Sequence, residues 1–134
     1  MKKLDYLIRR QFEQRGYMAG LSFGIQPTES QSKILFEDKK ALKHYADVVE
    51  NAIKGFQNIL LEKYNKYFEI IIYEIYWFPL DTTSELMNYT TIRILSDYFS
   101  LDFYSFLSID EAKQFHFLHD LKFEQVENNR FLLR

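Results

Sequence analysis

Cysteine is absent from this chain, which removes disulfides, thiolate nucleophiles and cysteine metal sites together. Proline occurs twice and glycine four times in 134 residues; no low-complexity linker is seen, and no phosphate-binding glycine motif is present. No apolar run approaches the length needed to span a bilayer; the longest, near Ile70 to Phe78, is interrupted by Glu74. A secretory leader would need an unbroken apolar stretch after its first basic residues, and Leu4-Asp5-Tyr6-Leu7-Ile8-Arg9-Arg10 is broken by charge. These absences suit a cytoplasmic protein without membrane attachment.

What the chain does have is apolar bulk. Hydrophobic residues make up 47% and aromatic residues 18%, enough at this length for one domain spanning 1–134 that buries roughly two-thirds of its unfolded surface. Charge is unevenly spread. Residues 1–80 carry 12 Lys/Arg against 10 Asp/Glu, whereas residues 81–120 carry only Arg93 and Lys113 against seven acids. A nucleic-acid partner needs a clustered basic face, and none is evident after residue 66. The second half is suited instead to a basic protein partner.

The stretch Asp38 to Phe78 organises the reading. Asp38 is a candidate N-cap, and Leu42, Tyr45, Val49, Ile53, Phe56 and Leu60 follow at helical spacing, with Lys43, Asp47, Glu50 and Lys54 opposite as weak surface pairs. Gly55 in this helix suggests close packing on a sheet. Glu69 to Phe78, apolar on both faces, predicts a strand near the middle of that sheet, ended by Pro79. Glu74 within it is either a catalytic base or an acid that lies near a strand end or pairs with a nearby Lys or Arg. Ahead of this pair, Leu4, Leu7, Ile8 and Phe12 predict a short helix ending at Gly16. Tyr17 to Gln26 alternates as a strand, in which Gly20 and Gly24 mark a bend or a close backbone approach. Lys33 to Phe36 is expected to pair back on it as a hairpin.

Beyond Pro79, Thr82 with Glu85 has capping-box spacing and opens a helix over 83–89 that extends toward residue 97, against a strand tendency at Thr90-Thr91-Ile92. Leu101 to Leu107 reads as extended. Ser108 and Glu111 form a second capping box before a short helix carrying Ile109, Ala112, Phe115 and Leu118. A terminal hairpin runs from Leu121 to Leu133 around Asn128-Asn129. The fold expected is α+β, a mainly antiparallel sheet with one long helix on a face and shorter helices around it.

Chemistry is sparse. His116 and His119, three apart and near Asp110 and Asp120, are the only candidates for a metal-dependent hydrolase, but they lack a third ligand and an HExxH pattern. No serine or cysteine nucleophile motif exists. No catalytic residue, metal ligand or cofactor is therefore assigned. What stands out is acid interleaved with aromatics: Asp97, Tyr98, Asp102, Tyr104, Asp110 and Glu111. Aromatics favour interface centres, and opposite charge accelerates encounter. Such a surface suits an inhibitor that masks a basic partner; its alternatives are an ordinary solvated surface with the aromatics turned inward, or the contact of a homodimeric regulatory module.

The run Tyr45-Ala46-Asp47-Val48-Val49-Glu50-Asn51-Ala52-Ile53-Lys54-Gly55-Phe56, leading into Tyr67-Phe68-Glu69-Ile70-Ile71-Ile72-Tyr73-Glu74, resembles an uncharacterised domain family common in Firmicutes, about 40 residues of packing pattern with no assigned site. In size and composition the chain is also similar to the cytoplasmic immunity proteins of bacterial toxin systems, a resemblance of style that implies a co-encoded toxin as the basic partner.

Overall fold

The computed structural model describes residues 1–42 and 44–134. Six strands form one mixed sheet: β1 (Lys3–Phe12), β2 (Arg15–Thr28), β3 (Lys33–Phe36), β4 (Tyr67–Tyr76), β5 (Glu124–Glu127) and β6 (Arg130–Leu133), in the spatial order β3-β4-β2-β1-β6-β5. The pairs β1–β2, β2–β4 and β5–β6 are antiparallel, while β1–β6 and β3–β4 are parallel. The class is α+β as expected, with a sheet more mixed than the expected antiparallel one and two long helices rather than one: α1 (Ala46–Tyr64) and α2 (Ser84–Phe99). A third, α3 (Ile109–Gln114), is short and stands between two 3-10 turns, Phe103–Phe106 and His116–Leu118.

The central strands turn one face to the helices. Tyr6 and Ile8 of β1, Ala19, Leu21, Phe23 and Ile25 of β2, and Phe68, Ile70 and Ile72 of β4 are buried against Val49, Ile53, Phe56 and Leu60 of α1 and Leu86, Ile92 and Leu95 of α2. At roughly 25 cal/mol per Å² of apolar surface removed from water, this cluster is the main source of stability. Among the described residues, no helix covers the opposite face of the sheet.

The N-terminal segment departs from the expected helix. Leu4, Ile8 and Phe12 lie four apart, but with Tyr6 they also lie on one face of a strand, and antiparallel pairing with β2 from Lys3↔Gly24 to Phe12↔Arg15 selects the second period. The hairpin closes through Glu13 and Gln14, both at positive φ (50° and 66°), as a two-residue turn requires. Gly16 lies inside β2 and caps nothing. At Gly20 the approach is close: a Cβ there would sit 2.3 Å from the carbonyl oxygen of Tyr6.

Further departures follow from tertiary pairing. β3 joins β4 in parallel rather than returning on β2, placing it beyond β4 at the sheet edge. α1 begins at Ala46, not after Asp38; Asp38 instead accepts a hydrogen bond from the Ala41 amide in a separate turn. Lys39 takes the carboxylates of Asp47 and Glu50, and the expected partner of Asp47, Lys43, lies outside the described residues. Gly55 faces solvent, with nothing within 4 Å of the place an added methyl would take, so it does not mediate packing. Glu74 is exposed next to a bulge at the end of β4. The α2 cap is shifted by one residue: Thr83 accepts from the Leu86 amide, while the Thr82 hydroxyl accepts from Phe78 N and donates to Met18 O. Leu101 to Leu107 contains a 3-10 turn rather than extended chain. The terminal hairpin forms as expected, with Asn129 at φ 62°.

Candidate functional site

The six acidic and aromatic residues fall into two groups along α2. Asp97 and Tyr98, in its last turn, border a cleft of about 360 Å³ that also involves Lys2, Tyr6 and Phe131. There the Tyr6 hydroxyl donates to Asp97 at 3.0 Å. Burial raises the Asp97 carboxyl above the ordinary carboxylate value and, with the Asp97 charge, raises the Tyr6 phenol well above its own. Asp97 is thus partly spent on holding β1 to α2.

Asp102, Tyr104, Asp110 and Glu111 form the second group, on the segment that leaves the end of α2 at Ser100 and returns along it, so that Asp102 stays close to the helix end while Glu111 reaches Asn88 near its start. Glu111 accepts from the Asn88 amide; Asn88 and Asp97 are nine residues apart, about 13 Å along the helix at 1.5 Å per residue. Two of these acids have structural work. Asp102 caps the first 3-10 turn by accepting from the Tyr104 amide at 3.0 Å, and Glu111 closes the capping box with Ser108 at 3.1 Å in both directions. Asp110 is exposed and makes no ion pair among the described residues. Tyr104 is 52% exposed, and Ile109, at the start of α3, is 76% exposed.

His119 ties these pieces together. Its Nε2 lies 2.8 Å from the carbonyl oxygen of Ala112, which can only accept, so Nε2 carries the proton. Its Nδ1 then accepts from the Tyr89 hydroxyl at 2.8 Å. The same phenol oxygen accepts from Arg93 Nη1 at 2.9 Å. Burial holds His119 below the ordinary imidazole value and raises Tyr89, consistent with a neutral ring in this chain of hydrogen bonds. Both ring nitrogens are occupied, so His119 has none to offer a metal, and His116 directs Nδ1 at the Lys113 carbonyl 3.1 Å away. Among the described residues, no three His, Asp or Glu converge as a metal site.

Arg93 is the residue whose role the sequence did not expose. It is 5% exposed, donates to the carbonyls of Leu118 at 2.9 Å and Leu121 at 2.6 Å as well as to Tyr89, and lies 4.1 Å from the Phe103 ring centroid. It has no carboxylate within 4.0 Å among the described residues. Its charge is compensated by carbonyl dipoles and aromatic faces, and it fastens residues 103–121 to α2.

No family model matches the chain, and no curated protein matches it significantly.

Proposed function

We propose that this protein is a non-catalytic binding module, an inhibitor of the immunity-protein type, that masks a basic site on a partner protein such as a co-encoded toxin. One observation carries the reading. From Ile94 to Ala112 the chain has no Lys or Arg, and within that stretch the exposed Tyr104 and Ile109 stand beside the exposed carboxylates of Asp102 and Asp110. Exposed apolar side chains among like-charged acids that have no ion pair among the described residues cost solubility and gain nothing in the isolated molecule; covered by a basic partner they become an anchored interface. The caps at Asp102 and Ser108–Glu111, with the Arg93 and His119 contacts behind them, hold this ridge rigid, which lowers the ordering cost of association. Asp97 and Tyr98, in the last turn of α2, extend the negative surface from its Asp102 side.

The test begins with proteins captured by the tagged chain from its native cell, ranked by loss of capture at raised salt. The leading basic partner is then titrated against the wild type and against a variant carrying Asp102→Asn, Tyr104→Ser, Ile109→Ser and Asp110→Asn. Asparagine keeps the cap at 102, so the fold is spared. The expected result is at least a tenfold loss of affinity, a weaker salt dependence and release of the partner's inhibited activity. Equal affinity for the variant removes this surface from consideration.

A further inference from the structure

The open face of the sheet carries the opposite chemistry. Two clefts of about 460 and 350 Å³ share Arg9 and Leu132, and so run into one another along the β2, β1 and β6 strands. Both lie within the size range of small-ligand sites, ~300–1,000 Å³. Strand alternation puts Leu7 and Arg9 of β1, Met18 of β2, and Leu132 with the following Arg134 on this face, since Tyr6, Ile8, Ala19 and Leu133 are the buried residues of the same strands. The smaller cleft thereby has an apolar floor of Leu7, Met18 and Leu132, with Val126 and Tyr76 as walls. The larger cleft is bordered by Arg9 and Arg134 of this face and by Arg10, which alternates to the other, with Asp81 as the acid among them.

The arginines are unspent. Among the described residues, neither Arg9, Arg10 nor Arg134 has a carboxylate within 4.0 Å, whereas Arg130 at the far end is paired with Glu127 at 3.2 Å. The acid inside the smaller cleft, Asp5, is already engaged: the Tyr76 hydroxyl donates to it at 2.7 Å. Guanidinium groups are well shaped for bidentate recognition of phosphate or carboxylate, and here they stand at one end of an apolar trough.

Independently of the acidic ridge, we propose that this trough is a binding site for a soluble single-chain anionic amphiphile, its phosphate or carboxylate head held by Arg9 and Arg134 and its chain laid over Leu7, Met18 and Leu132. A bilayer surface fits less well, because Leu7, Met18 and Leu132 line a recess and are not among the exposed apolar side chains. A bare anion would use the arginines and leave the trough wet. Each methylene buried should tighten binding up to about fourfold.

The experiment is calorimetric titration of the full chain with octyl and decyl phosphate below their micellar concentrations, with inorganic phosphate, decyltrimethylammonium and phosphatidylglycerol vesicles as further arms. The methyl resonance of Met18 reports location. Expected are saturable one-to-one binding of decyl phosphate, at least tenfold tighter than inorganic phosphate and several-fold tighter than octyl phosphate, and a shift of the Met18 signal. Replacing Arg9→Gln and Arg134→Gln together should weaken decyl phosphate at least tenfold with an unchanged melting temperature. Because both arginines are exposed, this variant should fold. Met18→Gln should remove the chain-length dependence. Equal binding of the cationic amphiphile, an affinity unchanged in the double arginine variant, a silent Met18 signal, or binding to vesicles alone would each overturn the proposal.

Discussion

The two faces of the sheet treat their arginines differently. Behind the helix-covered face, Arg93 is buried and committed to its own fold, donating to two carbonyls and a phenol and lying against an aromatic ring. On the open face, Arg9 and Arg134 are exposed without an ion-pair partner among the described residues. One arginine is an internal fastening and the others are free to meet something else. The same contrast holds among the acids, where Glu111 and Asp102 are used as caps while Asp110 is not. A charged residue already consumed by its own fold is a weak functional candidate, and one left unsatisfied at a shaped surface is a stronger one.

The sharpest way to break this contrast is to remove an arginine from each side. Arg93→Ala leaves a buried carbonyl, a part-buried one and a phenol short of a donor, each costing about 1–3 kcal/mol when buried, so a loss on the order of 3 kcal/mol is expected in urea unfolding. Arg9→Ala should stay within about 0.5 kcal/mol of wild type, as surface substitutions do. Comparable losses would mean that Arg9 is structural after all. Next in size is Gly20→Ala. A methyl 2.3 Å from the Tyr6 carbonyl oxygen forces β1 and β2 apart, at a cost of about 1–3 kcal/mol. An unchanged midpoint would show that the strands adjust freely there.

How far these features were legible in sequence depends on their range. β2, β4 and the body of α1 could be read because long, consistent periods leave one interpretation. β1 could not, because Leu4, Ile8 and Phe12 satisfy both periods and the turn at Glu13–Gln14 lacks the glycine or asparagine that announces a hairpin. The Thr90-Thr91-Ile92 run, strand-like locally, is helical because tertiary burial overrides propensity; Thr91 donates its hydroxyl to the Met87 carbonyl. The acidic ridge was visible as composition, while which acids were committed to capping followed only partly from the Ser108–Glu111 spacing. The arginine-edged trough had no local signal at all. It depends on β6 pairing in parallel with β1 from the opposite end of the chain.

Gly55 tests the helix-covered side from its solvent edge. With nothing within 4 Å of the added methyl, Gly55→Ala should stabilise the protein by up to about 1 kcal/mol through helix propensity and a less flexible unfolded chain. A loss in thermal or urea unfolding would mean that the position is crowded.

The smallest effect expected concerns pH, and it locates the His119 network on the fastening side of the comparison. His119 is held neutral between the Tyr89 hydroxyl and the Ala112 carbonyl, with Arg93, His116, Asp120 and the rings of Phe103 and Tyr104 around it. Protonation turns Nδ1 into a donor facing a phenol whose oxygen already accepts from Arg93, and adds a second positive charge beside that arginine. The folded value is therefore lowered relative to the unfolded one near 6.5. The unfolded chain takes up its proton first, so the contribution of His119 is fully present above about pH 6.5 and is lost as pH falls from there through the lower folded value. His119→Gln keeps an acceptor and a donor without titrating. The wild type should lose stability relative to this variant between about pH 7 and pH 5. Asp97, whose folded value is raised, acts with the opposite sign at lower pH and is common to both proteins, so it cancels in the difference. Parallel stability curves for the two proteins would show that the imidazole is solvated and that His119 adds nothing to the hold of α2 on residues 103–121.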